Sequence, residues 1–184
     1  MSKFEIIDTP LKGLKVIRKT IISDDRGYLS RFFCAEELKD AGWKKSVAQI
    51  NHTLTNKKGT IRGMHYQNEP YKEMKLVTCL QGAIYDVAVD IRIDSPTFLH
   101  HFSMELDRDK NQALLIPEGF AHGFQALTDK IELLYLHSNF YSPSYENGLN
   151  PLDKKLNINW PKKNFFISAK DKSRKLIDSK FKGI

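Results

Sequence analysis

Alternation with a period of two runs through the middle of this chain, and it constrains the fold more than any other feature. Tyr85, Val87, Val89 and Ile91 share one face of an extended segment, with Asp86, Ala88 and Asp90 on the other. Ile131, Leu133, Tyr135 and His137 alternate with Glu132, Leu134, Leu136 and Ser138, and Lys75, Val77 and Cys79 with Leu76 and Thr78. Turn signals separate such runs: Asp24-Asp25-Arg26-Gly27, Asn56-Lys57-Lys58-Gly59, Gln81-Gly82, Pro117-Glu118-Gly119 and Glu146-Asn147-Gly148. Many short strands at this spacing predict an all-β sandwich or barrel, with a jelly roll the best match. Helical periodicity is scarce. Ala35 to Ala41 reads as two turns ended by Gly42, and Ala169 to Ser179 as a C-terminal helix with Ser168 at its N-cap.

The 184 residues fit a single domain spanning 1–184 and are enough to bury a real core. No repeat, low-complexity linker or composition break marks a second unit. Hydrophobic residues make up 41%, which excludes intrinsic disorder. Lys and Arg exceed Asp and Glu by 29 − 22 = 7, which suits an anionic partner. The basic residues are spread, with their densest group in the tail from Lys162 to Lys182. That pattern reads as a solvated surface, and no nucleic-acid partner is expected. Cys34 and Cys79 lack C-x-x-C spacing and read as reduced thiols of a cytoplasmic protein. The start, Met1-Ser2-Lys3-Phe4-Glu5, has no apolar signal core, and no apolar run approaches the ~20 residues a membrane span needs.

Two islands of polar chemistry interrupt the strands. Gly59-Thr60-Ile61-Arg62-Gly63-Met64-His65-Tyr66-Gln67, continuing through Lys75 to Asp86, Asp90 and Arg92, sets a histidine, a lysine, two arginines and two aspartates into strand-forming sequence. Groups of both signs in so apolar a run are expected to face a pocket. Ile116-Pro117-Glu118-Gly119-Phe120-Ala121-His122-Gly123-Phe124 adds a second histidine. Proton transfer on a small anionic ligand is the chemistry these residues suit. His65 supplies a base that works near neutral pH, or else is a satisfied interior histidine. Lys75, buried at a strand start, calls for an anion, and a developing enolate oxygen is one. The alternative is an edge lysine snorkelling to water. Arg62 suits phosphate oxygens and His122 a second polar contact. Gly63 would let the backbone bulge so that Arg62 and His65 reach one cavity despite opposite parity.

The ordered set of motifs resembles the dTDP-4-dehydrorhamnose 3,5-epimerase family. It comprises Asp25-Arg26-Gly27, Gln49-Ile50-Asn51, Arg62 to Gln67, Lys75-Leu76-Val77, Asp86 to Arg92, Ser95-Pro96-Thr97, Ile116 to Phe124, Tyr135, Tyr141, Trp160-Pro161 and Lys170-Asp171. The resemblance covers nearly the whole chain. It implies a cupin-like jelly-roll barrel with a few short helices, and epimerisation of a nucleotide-linked 4-keto-6-deoxyhexose at carbons 3 and 5 in deoxysugar synthesis for surface polysaccharide. It implies neither metal nor cofactor, a nucleotide-diphosphate 4-keto sugar as substrate, and a cytoplasmic homodimer whose N-terminal strands cross between subunits. By resemblance, His65 is the base, Asp171 orients it, Tyr135 is the acid on the opposite side of the sugar, and Lys75 holds the enolate. Arg26, Gln49, Asn51, Arg62, His122 and Tyr141 would bind substrate, with Arg26 reaching the phosphates across the dimer. Ser168-Ala169-Lys170-Asp171 also reads as a capping-box-like helix start.

The chain departs from the family pattern at Arg31, where members often carry a glutamate near the base. An arginine only donates hydrogen bonds, so the nucleotide preference is expected to shift, unless Arg31 points to solvent. Two other readings stand beside the first. One is a single-centre epimerase or ketoisomerase of the same fold, acting on a sugar linked to GDP, CDP or UDP. The other is a non-enzymatic sugar-binding cupin, which the presence of base, orienting acid, enolate partner and proton donor disfavours. A zinc or iron cupin needs a close His-x-His pair, whereas His65 stands alone and His100-His101 face opposite ways.

Overall fold

A computed structural model describes residues 2–184. The strands are β1 (Phe4–Asp8), β2 (Lys15–Lys19), β3 (Ile21–Asp24), β4 (Gly27–Ser30), β5 (Gln49–Thr55), β6 (Thr60–Gln67), β7 (Lys75–Gln81) and β8 (Ala83–Asp90). They continue as β9 (His101–Asp107), β10 (Gln112–Ile116), β11 (Phe120–Ala126), β12 (Ile131–His137), β13 (Glu146–Gly148) and β14 (Phe166–Ile167). Two short helices are α1 (Ala35–Lys39) and α2 (Ala169–Lys172). One antiparallel sheet has the order β1-β2-β10-β7-β12-β5. The other runs β13-β6-β11-β8-β9, with β14 added in parallel to β6. The hairpin β3–β4 stands apart as its own two-stranded sheet. Two sheets face to face make the jelly-roll barrel that the alternation predicts.

Alternation decides what each face buries. Val77, Leu114 and Leu133 of the first sheet meet Ile84, Ala88 and Phe124 of the second, forming the barrel interior. On β8 the opposite set, Val87, Val89 and Ile91, points outward, where Leu149, Leu156, Trp160 and Ile177 cover it. The outer face of the first sheet, with Ile17, Leu76 and Leu115, is covered by Leu38 of α1 and by Trp43. Both sheets are therefore buried on two sides. Each fully buried Leu, Ile or Val contributes about 1.5–3 kcal/mol relative to exposure.

The helices are shorter than their sequence patterns suggest. α1 stops at Lys39, and Gly42 takes φ +106°, which ends the turn as expected. α2 covers four residues rather than the span to Ser179. Carbonyls at and just past its end are captured from outside the helix: the Asn150 side-chain amide donates to the Lys172 and Arg174 oxygens at 3.2 and 3.0 Å. The Asp153 carboxylate then accepts from the Ile177 amide, pulling the tail against the barrel. Tertiary partners override local helical preference here.

Asp90 of β8 and Arg92 just after it sit away from the cavity between the sheets, against expectation. The buried Asp90 carboxylate accepts from Arg92 Nε and Nη2 at 2.9 and 2.6 Å, and from the Ser95 and Thr97 hydroxyls at 2.6 Å each. This clamp fixes the loop after β8, so Asp90 and Arg92 serve the fold.

Candidate active site

Between the facing sheets lies a cavity of about 190 Å³. Arg62 and His65 of β6 and His122 of β11 form one wall, and Lys75 of β7 with Tyr135 and His137 of β12 form the other. Asn51 and Thr53 of the edge strand β5 close one side.

The bulge expected at Gly63 is present. His122 pairs with His65 and Phe124 with Arg62, so two steps on β11 oppose three on β6. Gly63 takes φ +136°, and a Cβ there would lie 2.5 Å from the Gly123 Cα. Only a glycine fits that approach. The extra residue on β6 turns both Arg62 and His65 into the cavity.

Three histidines line the cavity, each bonded to its own carboxylate. His65 Nε2 donates to Asp171 Oδ1 at 2.7 Å, His122 Nε2 to Asp86 Oδ1 at 2.7 Å, and His137 Nδ1 to Glu73 Oε2 at 2.8 Å. Burial pushes the Asp171 carboxyl up, but the hydrogen bond and charge of His65, with Ser168 and the Gly63 amide, bring it below its ordinary value. An ionised carboxylate only accepts, so His65 carries its proton on Nε2 and leaves Nδ1 as the free base nitrogen. Both contacts expected of this segment are made. The Asp171 backbone amide donates to Ser168 Oγ at 3.0 Å as the helix cap, while the carboxylate serves His65.

The opposite wall presents Tyr135. Burial pushes the Tyr135 hydroxyl far above its ordinary pKa, and the Asp86 charge adds to the effect. Tyr135 therefore keeps its proton until a strong base forms beside it. Its ring stacks on His137 at 6.0 Å and meets His122 edge-on at 6.1 Å, which fixes its aim. Lys75 is buried, and its ammonium does not depend on a ligand for a counter-charge: Glu73 Oε1 lies 3.2 Å from Nζ. Burial raises the Glu73 carboxyl, but His137 and Lys75 outweigh it and hold it below its ordinary value. Lys75 thus enters the cavity as a positioned cation.

Of the residues expected from sequence, His65, Asp171, Tyr135, Lys75, Asn51, Arg62 and His122 come together. Gln49 stands one step behind, donating to Asn51 Oδ1 at 3.1 Å. Tyr141 is exposed and donates to Glu146 at 2.7 Å outside the cavity. Arg26 and Arg31 lie at the β3–β4 arm rather than in this chain's own cavity. Arg26 pairs with Asp24, and Arg31 with Glu37 of α1. Sequence reasoning missed His137, Glu73, Thr53 and Phe124. It also missed Glu146, which gathers Tyr141, Lys170 and Arg174 beside His65. The parity of His137 with Tyr135 was the signal available for the first of these.

The family model for dTDP-4-dehydrorhamnose 3,5-epimerase matches residues 8–179. A dTDP-4-dehydrorhamnose 3,5-epimerase of Shigella flexneri is 40% identical over 178 residues, covering 96% of this chain and 98% of that protein. A dTDP-4-dehydrorhamnose 3-epimerase of Streptomyces niveus is 35% identical over 168 residues, covering 91% and 81%. The crystal structure of dTDP-6-deoxy-D-glucose-3,5-epimerase from Legionella pneumophila Philadelphia 1, in complex with dTDP-4-keto-L-rhamnose, superposes with a TM-score of 0.89 at 36% identity. It covers 94% of this chain and 92% of that one.

Proposed function

We infer the working of this site from one premise: the chain belongs to the dTDP-4-dehydrorhamnose 3,5-epimerase family and is an isomerase. Its substrate is a dTDP-linked 4-keto sugar, the chemistry named for its relatives. We propose that His65 Nδ1 removes the proton from a carbon beside the ketone. The electron pair moves onto the ketone oxygen, where Lys75 and His122 stabilise the enolate. Tyr135 then protonates the same carbon from the opposite wall, which inverts it. The imidazolium on His65 is stabilised by Asp171. After each inversion His65 sheds its proton to solvent and Tyr135 regains one. Arg62 suits a phosphate oxygen of the nucleotide.

The observation that carries this reading is the pairing of walls. A hydrogen-bonded His–Asp base on β6 faces a proton-retaining tyrosine on β12 across a cavity the size of one sugar ring. Incubation with the dTDP-linked 4-keto-6-deoxyhexose in deuterated water tests it. Deuterium is expected at carbons 3 and 5 with the wild type and at neither with His65→Ala; equal exchange by both proteins overturns the assignment. Exchange at carbon 3 alone would favour the second reading, a single-centre enzyme like the Streptomyces niveus relative.

We also propose a homodimer. β5 ends its sheet with an unpaired edge carrying Ile50, 62% exposed, and the β3–β4 arm carries Leu29, 61% exposed. A partner that covers both also brings an arm with Arg26 toward the neighbouring cavity. Both cysteines are free thiols, and among the described residues no helix is long and apolar enough to cross a membrane. We propose a cytoplasmic enzyme that feeds deoxysugar into surface polysaccharide, a location that cell fractionation tests.

A further inference from the structure

A second cavity, of about 510 Å³, lies beneath the β3–β4 arm and shares no lining residue with the catalytic one. Its most unusual group is Lys19, the last residue of β2. Lys19 is 8% exposed, yet its ammonium has neither an ion pair nor a hydrogen bond among the described residues. Its Nζ sits 4.3 Å from the centre of the Phe32 ring. A ring face partly offsets the loss of water around a cation, but it supplies no negative charge. The titratable group that acts on it is the Cys79 thiol, which burial pushes up to about 12 and so keeps neutral. Burial in turn lowers the Lys19 ammonium to about 8.

A second orphan faces the same space. Ser30 Oγ, on β4 of the arm, is buried without a hydrogen-bond partner. Buried hydroxyls are almost always satisfied, and an orphan hydroxyl beside a largely buried lysine that has no counter-charge points to a missing acceptor. At the rim stands Arg108, which has no ion pair among the described residues. The donors come from three separate elements: β2, β4 and the turn after β9. A tetrahedral oxyanion presents acceptor oxygens to all three at once, whereas a planar carboxylate presents two in one plane.

We propose that this cavity is a binding site for a phosphate-type oxyanion, held by Lys19 and Ser30 under the arm with Arg108 at its mouth. An occupant there would tie the arm to the barrel, because Ser30 belongs to one and Lys19 to the other. None of its residues lines this chain's catalytic cavity, although the arm that it shares also carries Arg26.

Titration calorimetry of the full-length protein with inorganic phosphate, at ionic strength matched with chloride, tests the proposal. Lys19→Met keeps the volume and removes the charge, and Ser30→Ala removes only the hydroxyl. Losing a charged hydrogen bond is expected to weaken the phosphate affinity of Lys19→Met by about tenfold or more, and Ser30→Ala by about threefold. Epimerase turnover without added phosphate should be unchanged in both. Phosphate that also enters the catalytic cavity gives the same background in all three proteins. Equal phosphate binding by wild type and both variants overturns the proposal. So does dissociation of the Lys19→Met oligomer in sedimentation, which would identify the missing anion as a carboxylate of a second copy.

Discussion

Asp171→Asn separates the charge of the dyad from its geometry. The amide oxygen still accepts from His65 Nε2, so the tautomer with a free Nδ1 survives. What disappears is the negative charge 2.7 Å from an imidazole that becomes cationic in the proposed mechanism. A charge-assisted hydrogen bond contributes about 1.5–3 kcal/mol and a neutral one about 0.5–1.5, so the difference is about 1–1.5 kcal/mol. The Coulombic remainder is small, because the His65 side chain is 37% exposed and water screens it. A total of about 1–2.5 kcal/mol corresponds to a fall in kcat of about 5- to 70-fold. His65→Ala removes the proposed base and should cost about 10²–10⁴-fold. The assay is the rate of deuterium entry into the sugar, with urea denaturation of each variant alongside. Stability should change little in Asp171→Asn, since the Ser168 cap is made to the Asp171 backbone amide. Two results would refute the reasoning. Full activity in Asp171→Asn would make Asp171 a structural residue only. A loss as large as that of His65→Ala would mean that the carboxylate does far more than stabilise an imidazolium.

Two further outcomes follow from the fold. Burial raises the Asp90 carboxyl, but its bonds to Arg92, Ser95 and Thr97 outweigh this and bring it down to about 2. A carboxyl depressed on folding stabilises the protein above its unfolded pKa and loses that stabilisation as pH falls. The contribution, about 2 kcal/mol, should fade between about pH 4 and pH 2. Asp90→Asn should therefore lower stability at pH 7 and flatten the decline on acidification; an unchanged pH slope in urea melts would rule this out. The exposed β5 edge and apolar arm predict a dimer at micromolar concentration, and sedimentation equilibrium giving a stable monomer would contradict it.

What could be read from the chain alone divides along a physical line. Strand alternation is a local property, so the two faces of β8 and the interior set of β12 were legible from residue parity. So was the Gly63 bulge, because Arg62 and His65 could share a cavity only if the period broke between them. The hydrogen-bond partners are not local. Asp86 lies 36 residues before His122, Glu73 lies 64 before His137, and Asp171 lies 106 after His65. No periodicity encodes such pairs. Asp171 was found only through a family motif, and the other two carboxylates had no comparable signal. Charge within a strand also proved ambiguous: Asp86 serves the cavity, while Asp90, four residues on and on the same face, clamps a loop. What separates them is the chain that follows. Asp90 stands at the strand end, where the turn returns Arg92, Ser95 and Thr97 to it, whereas Asp86 lies in the middle of β8, where its partner comes from the neighbouring strand β11. That partner is His122, two strand residues before Phe124, placed across from His65 by the same bulge that brings in Arg62. One irregularity in the β6–β11 ladder thus sets both histidines of the second sheet against the tyrosine and lysine of the first.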